Sequence, residues 1–117
     1  MTTGTAVSKY RNVKCLFAGI RFDSKKEAAR YAELAMLEKA GRISGLERQV
    51  RFEVCPKVPG LKGSRARYYV ADFVYAEDGV KVIEDVKSWI TKKNPVYTLK
   101  KQLVQVNFPD YEFREVL

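Results

Sequence analysis

Two carboxylates and a lysine, Asp72, Asp85 and Lys87, stand in a pattern that suits phosphate chemistry. Asp72 lies in the β-prone run Tyr68 to Ala76, and Asp85 and Lys87 lie in a second such run, Val80 to Ser88. Between them sits Glu77-Asp78-Gly79, and Asp-Gly flanked by apolar runs is the strongest short hairpin signal. If Asp78-Gly79 is a two-residue turn, Glu77 faces Val80, and equal steps outward set Asp72 opposite Asp85. A four-residue loop pairing Ala76 with Lys81 keeps the same register. The two carboxylates would then share one face, with Cβ atoms about 4.5–5.5 Å apart. Like charges so placed repel, and Val70, Val74 and Ile83 on that face make the setting costlier still. An isolated buried pair is protonated or holds a cation. Mg²⁺ is an economical answer, because it favours one or two carboxylates plus waters and phosphate oxygens. Lys87, one pleat beyond Asp85, could hold an attacking water or steady charge developing on phosphate. The competing reading is a surface ion pair between Asp85 and Lys87 with a solvated Asp72, and a β-bulge would break the register.

Composition narrows the chemistry. The chain has no histidine, which removes imidazole acid–base catalysis and the usual triads. Cys15 and Cys55 lie far apart with no CxxC spacing, so a structural zinc site is excluded. They read as two partly buried thiols in a reducing compartment. Any enzyme here must work with carboxylates, lysines and metal. The net charge of +8 and pI near 9.6 fit a partner rich in phosphate, since each phosphate contact releases counterions, although a well-charged soluble surface has the same totals. No apolar run reaches the length of a membrane span, and Met1 to Ser8 is small and polar without the pattern of a secretory signal. The expectation is a cytoplasmic protein with a loose tail over residues 1–8 and one domain over 9–117.

The elements that must position these residues follow from periodicity. Asn12 to Phe22 alternates around Ala18-Gly19, as in a short hairpin. Ser24-Lys25-Lys26-Glu27 fits a capping box, Ala28, Tyr31, Ala32, Leu34 and Ala35 recur at helical spacing, and Gly41 ends the run. A helix is predicted over 24–40. A strand follows over 46–54, then a loop over 56–67 rich in Pro, Gly, Lys and Arg. After the hairpin, Trp89 to Pro95 reads as a second basic loop, 96–106 as a helix and 111–116 as a strand. The order is hairpin, α, β, β, β, α, β, an α/β or α+β domain around a mixed sheet of about four strands.

Asp72, followed after the hairpin by Asp85-Val86-Lys87 at the end of an apolar strand, resembles the PD-(D/E)XK nuclease motif. Phe22-Asp23-Ser24-Lys25-Lys26-Glu27-Ala28 resembles the first helix of such enzymes, where a glutamate often completes the metal site. The α-β-β-β-α-β order is that of the restriction-endonuclease-like core. The run from Lys9 to Leu117 is similar to short phage and prophage proteins of this superfamily, which also holds Holliday junction resolvases of similar size. Ala71 stands where the motif's name has proline, a departure common among its members. The resemblance implies Mg²⁺ or Mn²⁺ bound by Asp72, Asp85 and the Val86 carbonyl, with Lys87 as catalytic lysine and Glu27 as the helix-borne carboxylate. For Glu27 the capping box offers a purely structural alternative. Gln49, on the strand after the helix, is a candidate for lining the site.

Basic residues flank the proposed centre. Lys57, Lys62, Arg65 and Arg67 precede the Asp72 strand, Lys92 and Lys93 follow Lys87, and Lys100 and Lys101 begin the exposed face of the next helix. Such residues suit phosphate contacts, which set affinity without reading sequence; singly, each also reads as ordinary solvated charge. Trp89 and Tyr97 either stack on a base or pack beneath a loop. These features lead to an expected metal-dependent endodeoxyribonuclease acting on branched DNA in recombination or replication, such as Holliday junctions. By the resolvase resemblance it would act as a homodimer in a bacterial host cell. A non-catalytic nucleic-acid-binding module on the same fold is the main alternative, and a phage protein binding a host partner is a third.

Overall fold

The computed structural model describes residues 15–17 and 19–116, so the tail expected over residues 1–8 lies outside the described residues. A short antiparallel pair, β1 (Cys15–Phe17) and β2 (Ile20–Phe22), precedes helix α1 (Lys25–Lys39). Four strands form the central sheet in the order β3 (Ser44–Cys55), β4 (Arg67–Glu77), β5 (Val80–Val86) and β6 (Tyr111–Val116). The first three pair antiparallel and β6 runs parallel to β5, so the sheet is mixed. A parallel neighbour needs a crossover, and α2 (Trp89–Lys92) and α3 (Pro95–Asn107) supply it.

Local chemistry explains the boundaries. Ser24 caps α1 by accepting the Glu27 N–H at 3.1 Å. Asn94 caps α3 through its side-chain oxygen to the N–H groups of Val96 and Tyr97, ahead of Pro95 in the first turn. The basic loop expected over 89–95 instead contains α2, because the Ser88 hydroxyl accepts the Thr91 N–H and nucleates a turn. At the hairpin tip Asp78 and Gly79 both have positive φ, +53° and +79°, as a tight turn between twisted strands requires. Glu77 therefore pairs with Val80 and Ala76 with Lys81, the register read from the sequence.

Two apolar clusters cover the sheet. Leu34 of α1 packs with Phe73, Tyr75 and Val82, whereas Val104 of α3 packs with Phe52, Ala71 and Ile83. Val82 and Ile83 are consecutive, so the two helices lie on opposite faces of β5. Val82, Ile83, Glu84 and Asp85 are all buried, as expected of a central strand covered on both sides. Among the described residues, no helix is long and apolar enough to cross a membrane.

Candidate active site

The antiparallel ladder between β4 and β5 runs from Glu77 and Val80 to Phe73 and Glu84. One step further, where Asp72 and Asp85 come opposite each other, side chains replace the backbone ladder. The Asp72 N–H donates to Asp85 Oδ1 at 3.0 Å, and the Val86 N–H donates to Asp72 Oδ2 at 2.8 Å. Each carboxylate thus satisfies an amide of the opposing strand, and these charge-assisted bonds offset part of the cost of burying two like charges. Lys87 offsets a further part, its Nζ lying 3.7 Å from Asp85 Oδ1 and 4.0 Å from Asp72 Oδ2. Asp85 Oδ2 is buried and has no hydrogen-bond partner among the described residues.

The electrostatics follow from this geometry. Burial pushes the Asp85 carboxyl up to about 6, against the opposing charge of Lys87 and the bond from the Asp72 N–H. Burial also raises Asp72, again opposed by Lys87 and by the Val86 N–H. Glu27 is raised by burial first, then by the charges of Asp72 and Asp23, while Arg48 and Gln49 pull it down. All three hold their protons more tightly than free carboxylic acids, so a cation that replaces those protons meets preformed oxygen donors.

Glu27 reaches this cleft from α1. Its backbone belongs to the helix cap, but its buried carboxylate accepts from Gln49 Nε2 at 3.1 Å and lies 3.6 Å from Arg48. Gln49 Nε2 is also 3.5 Å from Asp72 Oδ1, linking α1, β3 and β4. Gln49 has φ +52° in mid-strand, a conformation that non-glycine residues adopt at a cost of order 1 kcal/mol or more. The left-handed residue interrupts the pleat at the level of Asp72. Tyr69 and Ala71 of β4 pack in the α3 cluster, while Phe73 and Tyr75, of the same parity, pack in the α1 cluster. The sheet changes side there, and the carboxylates sit at the change.

A cleft of about 260 Å³ opens on this centre, lined by Asp23, Glu27, Asp72, Val86, Lys87 and Thr91 among others. Lys87 is fixed from several directions. Its N–H donates to the Val116 carbonyl of β6 at 2.8 Å, and its carbonyl accepts from Lys26 Nζ at 3.2 Å. Its Nζ lies 5.0 Å from the centre of the Tyr97 ring. The Tyr97 hydroxyl in turn donates to Glu115, which also holds Lys101 at 3.2 Å and Lys92 at 3.6 Å. Burial raises Glu115, but the Tyr97 and Lys101 hydrogen bonds and the two lysine charges outweigh it and leave this carboxyl below its ordinary value.

Glu27, Gln49, Asp72, Asp85, Val86 and Lys87 therefore meet in one region. The basic residues distribute differently. Lys100 lines a neighbouring groove, whereas Lys57, Lys62 and Arg65 stay in the exposed β3–β4 loop and line neither that groove nor the acidic cleft. Arg67, expected in that loop, is the first residue of β4 and pairs with Cys55, because the strand begins before its apolar run. Lys93 caps the end of α2. Lys101, expected on an exposed face, is drawn inward by Glu115. Cys55 is exposed rather than partly buried. Tyr97 packs under Lys87, and the Trp89 side chain lies outside the described residues. Arg48 and Glu115 escape sequence reasoning. Glu115 reaches the site only through the parallel pairing of Asp85 with Glu115, which nothing local announces.

Among the described residues, no group of three or more Asp, Glu, His or Cys side chains is arranged as a ready-made metal cage. The donors present are hard oxygens, the kind a Mg²⁺-like cation takes; Asp72 and Glu27 line the cleft, whereas Asp85 lies buried behind it. The family described as "Protein of unknown function (DUF1064)" matches residues 7–116, and the chain belongs to it. No curated protein and no solved structure matches.

Proposed function

We propose that this DUF1064 member is a Mg²⁺- or Mn²⁺-dependent endonuclease of the PD-(D/E)XK type, built on a restriction-endonuclease-like core and hydrolysing DNA phosphodiester bonds, with branched DNA as the preferred substrate. The observation that carries this reading is Asp72 set against the fully buried Asp85 with Lys87 within 4.0 Å of both carboxylates, while the second Asp85 oxygen has no hydrogen-bond partner among the described residues. A fully buried carboxylate oxygen without a partner is costly, and a cation removes the cost.

In this reading Asp72 and Asp85 would hold the metal, with the Val86 carbonyl as a further ligand and Glu27 as the helix-borne carboxylate by resemblance. A divalent cation bound there supplies a Lewis acid for the phosphate and lowers the pKa of water. The remaining work belongs to the chain. Gln49 orients Glu27 and Asp72 through its amide. Lys87, pinned between the carboxylates and Tyr97, presents its side-chain nitrogen to a water or to charge developing on phosphate oxygens. The basic surface draws in the polyanion.

Labelled four-way junctions, flaps and linear duplex incubated with purified protein in Mg²⁺ test the proposal. Cleavage should need the metal and should favour the branched substrates. If no DNA is cut, or if Asp85→Ala and Lys87→Ala cut as well as wild type, the mechanism is wrong.

A further inference from the structure

Beside the acidic cleft lies a second groove of about 380 Å³, and Lys87 and Thr91 line both. The two are therefore one continuous surface with Lys87 at the junction. Their linings differ in kind. The first holds Asp23, Glu27 and Asp72, whereas the second has no carboxylate and is walled by Tyr68, Tyr69, Val70, Val96, Tyr97 and Lys100. Val70 is 43% exposed and Val96 61%, so this wall offers apolar surface to whatever enters. Tyr69 is almost fully buried, yet its hydroxyl has no hydrogen-bond partner among the described residues. Its volume falls in the lower range of small-ligand clefts, about 300–1,000 Å³.

The two outer tyrosines are not equivalent. Both Lys87 and Lys101 approach the Tyr97 ring, at 5.0 and 5.8 Å from its centre, and its hydroxyl is committed to Glu115. Tyr97 is therefore part of the wall. Tyr68 is half-buried, with the Arg51 guanidinium 4.0 Å from its ring centre. A ring backed by a cation on one side is a rigid platform for stacking on the other.

From these features we infer that this groove is a nucleotide subsite, which takes one unpaired base, stacked on Tyr68, next to the phosphate held at Lys87. Charge complementarity selects the occupant: lysines and apolar rings without carboxylates accept the base, sugar and phosphate of a polynucleotide. A base paired within a duplex exposes its edge and not its face, so stacking here requires a nucleotide out of the helix. The inference rests on the nuclease reading and narrows it to substrates with unpaired nucleotides beside the scissile bond.

The test uses binding, which is separable from cutting. Oligonucleotides carrying 2-aminopurine are prepared as single strands, as flaps with the probe at the branch, and as full duplex, and are titrated with the intact protein in Ca²⁺. Single strands and flaps should bind with quenched fluorescence, while duplex should bind without quenching. Tyr68→Ala should abolish quenching and weaken binding roughly 5- to 100-fold. Tyr68→Phe should restore both, and Val96→Glu, at an exposed rim position, should weaken binding without changing the fold. Equal binding of duplex and single strand, or a Tyr68→Ala protein that quenches like wild type, overturns the subsite. If quenching follows this pattern but no DNA is cut in Mg²⁺, the subsite stands and the nuclease reading falls.

Discussion

Glu84 and Asp85 are adjacent in β5, both fully buried, and they point to opposite faces of the sheet. Glu84 is saturated: Arg30 grips it with two bonds of 2.6 and 2.9 Å, and the Tyr75 hydroxyl donates at 2.6 Å. Among the described residues Asp85 keeps one oxygen without a partner, and its ion pair with Lys87 is longer, at 3.7 Å. The same strand thus carries one carboxylate built into the scaffold and one left open. Burial is the same for the two, and the count of satisfied oxygens is what differs.

Substitutions sharpen the contrast. Lys87→Ala should lower cleavage about 10²- to 10³-fold, and Asp85→Asn at least as much, with both proteins folded by circular dichroism. Arg30→Ala should act in the opposite way, leaving Asp72, Asp85 and Lys87 in place but costing about 3 kcal/mol in urea unfolding by stranding Glu84. A third contrast lies in pH. Asp85 is raised from about 4 to about 6 by burial, so the folded state holds its proton more tightly than the unfolded chain does. The resulting stability is present below about pH 4 and is lost as pH rises through about 6, up to about 3 kcal/mol in total. Metal-free protein should therefore melt at lower temperature at pH 7.5 than at pH 5, and Asp85→Asn should flatten that dependence. Adding Mg²⁺ at about 100 times its dissociation constant should return roughly 2.7 kcal/mol at pH 7.5 to wild type and nothing to Asp85→Asn. The smallest effect belongs to Gln49→Gly. It should relieve the left-handed backbone and stabilise the metal-free fold by up to about 1 kcal/mol while weakening Mg²⁺ binding measured by calorimetry. A loss of stability without a change in Mg²⁺ affinity would make Gln49 a scaffold residue.

Much of this site was legible because the relevant information is local. Asp78-Gly79 dictates a turn, the turn dictates a register, and the register sets Asp72 against Asp85. Ser24 announces the start of α1 and so the position of Glu27. What stayed hidden depends on tertiary pairing. The left-handed Gln49 has no signature in a polar stretch such as Glu47-Arg48-Gln49. The grip of Arg30 on Glu84 spans 54 residues. Helix α2 was masked by lysines that resemble loop residues, although Ser88 and Thr91 carry its cap.

The bond from the Lys87 N–H to the Val116 carbonyl also bears on folding order. Asp72 and Asp85 are brought together by a two-residue turn, a closure achievable in microseconds. Lys87 is anchored only once β6 has returned through a crossover helix and paired parallel to β5, a non-local event with a larger loop-closure cost. On that order the acidic pair and Lys87, two residues from Asp85 on the same strand, would meet in the hairpin before β6 fixes the Lys87 backbone, and a dissolved divalent ion that bridges the pair would act on the folding rate as well as on the final stability.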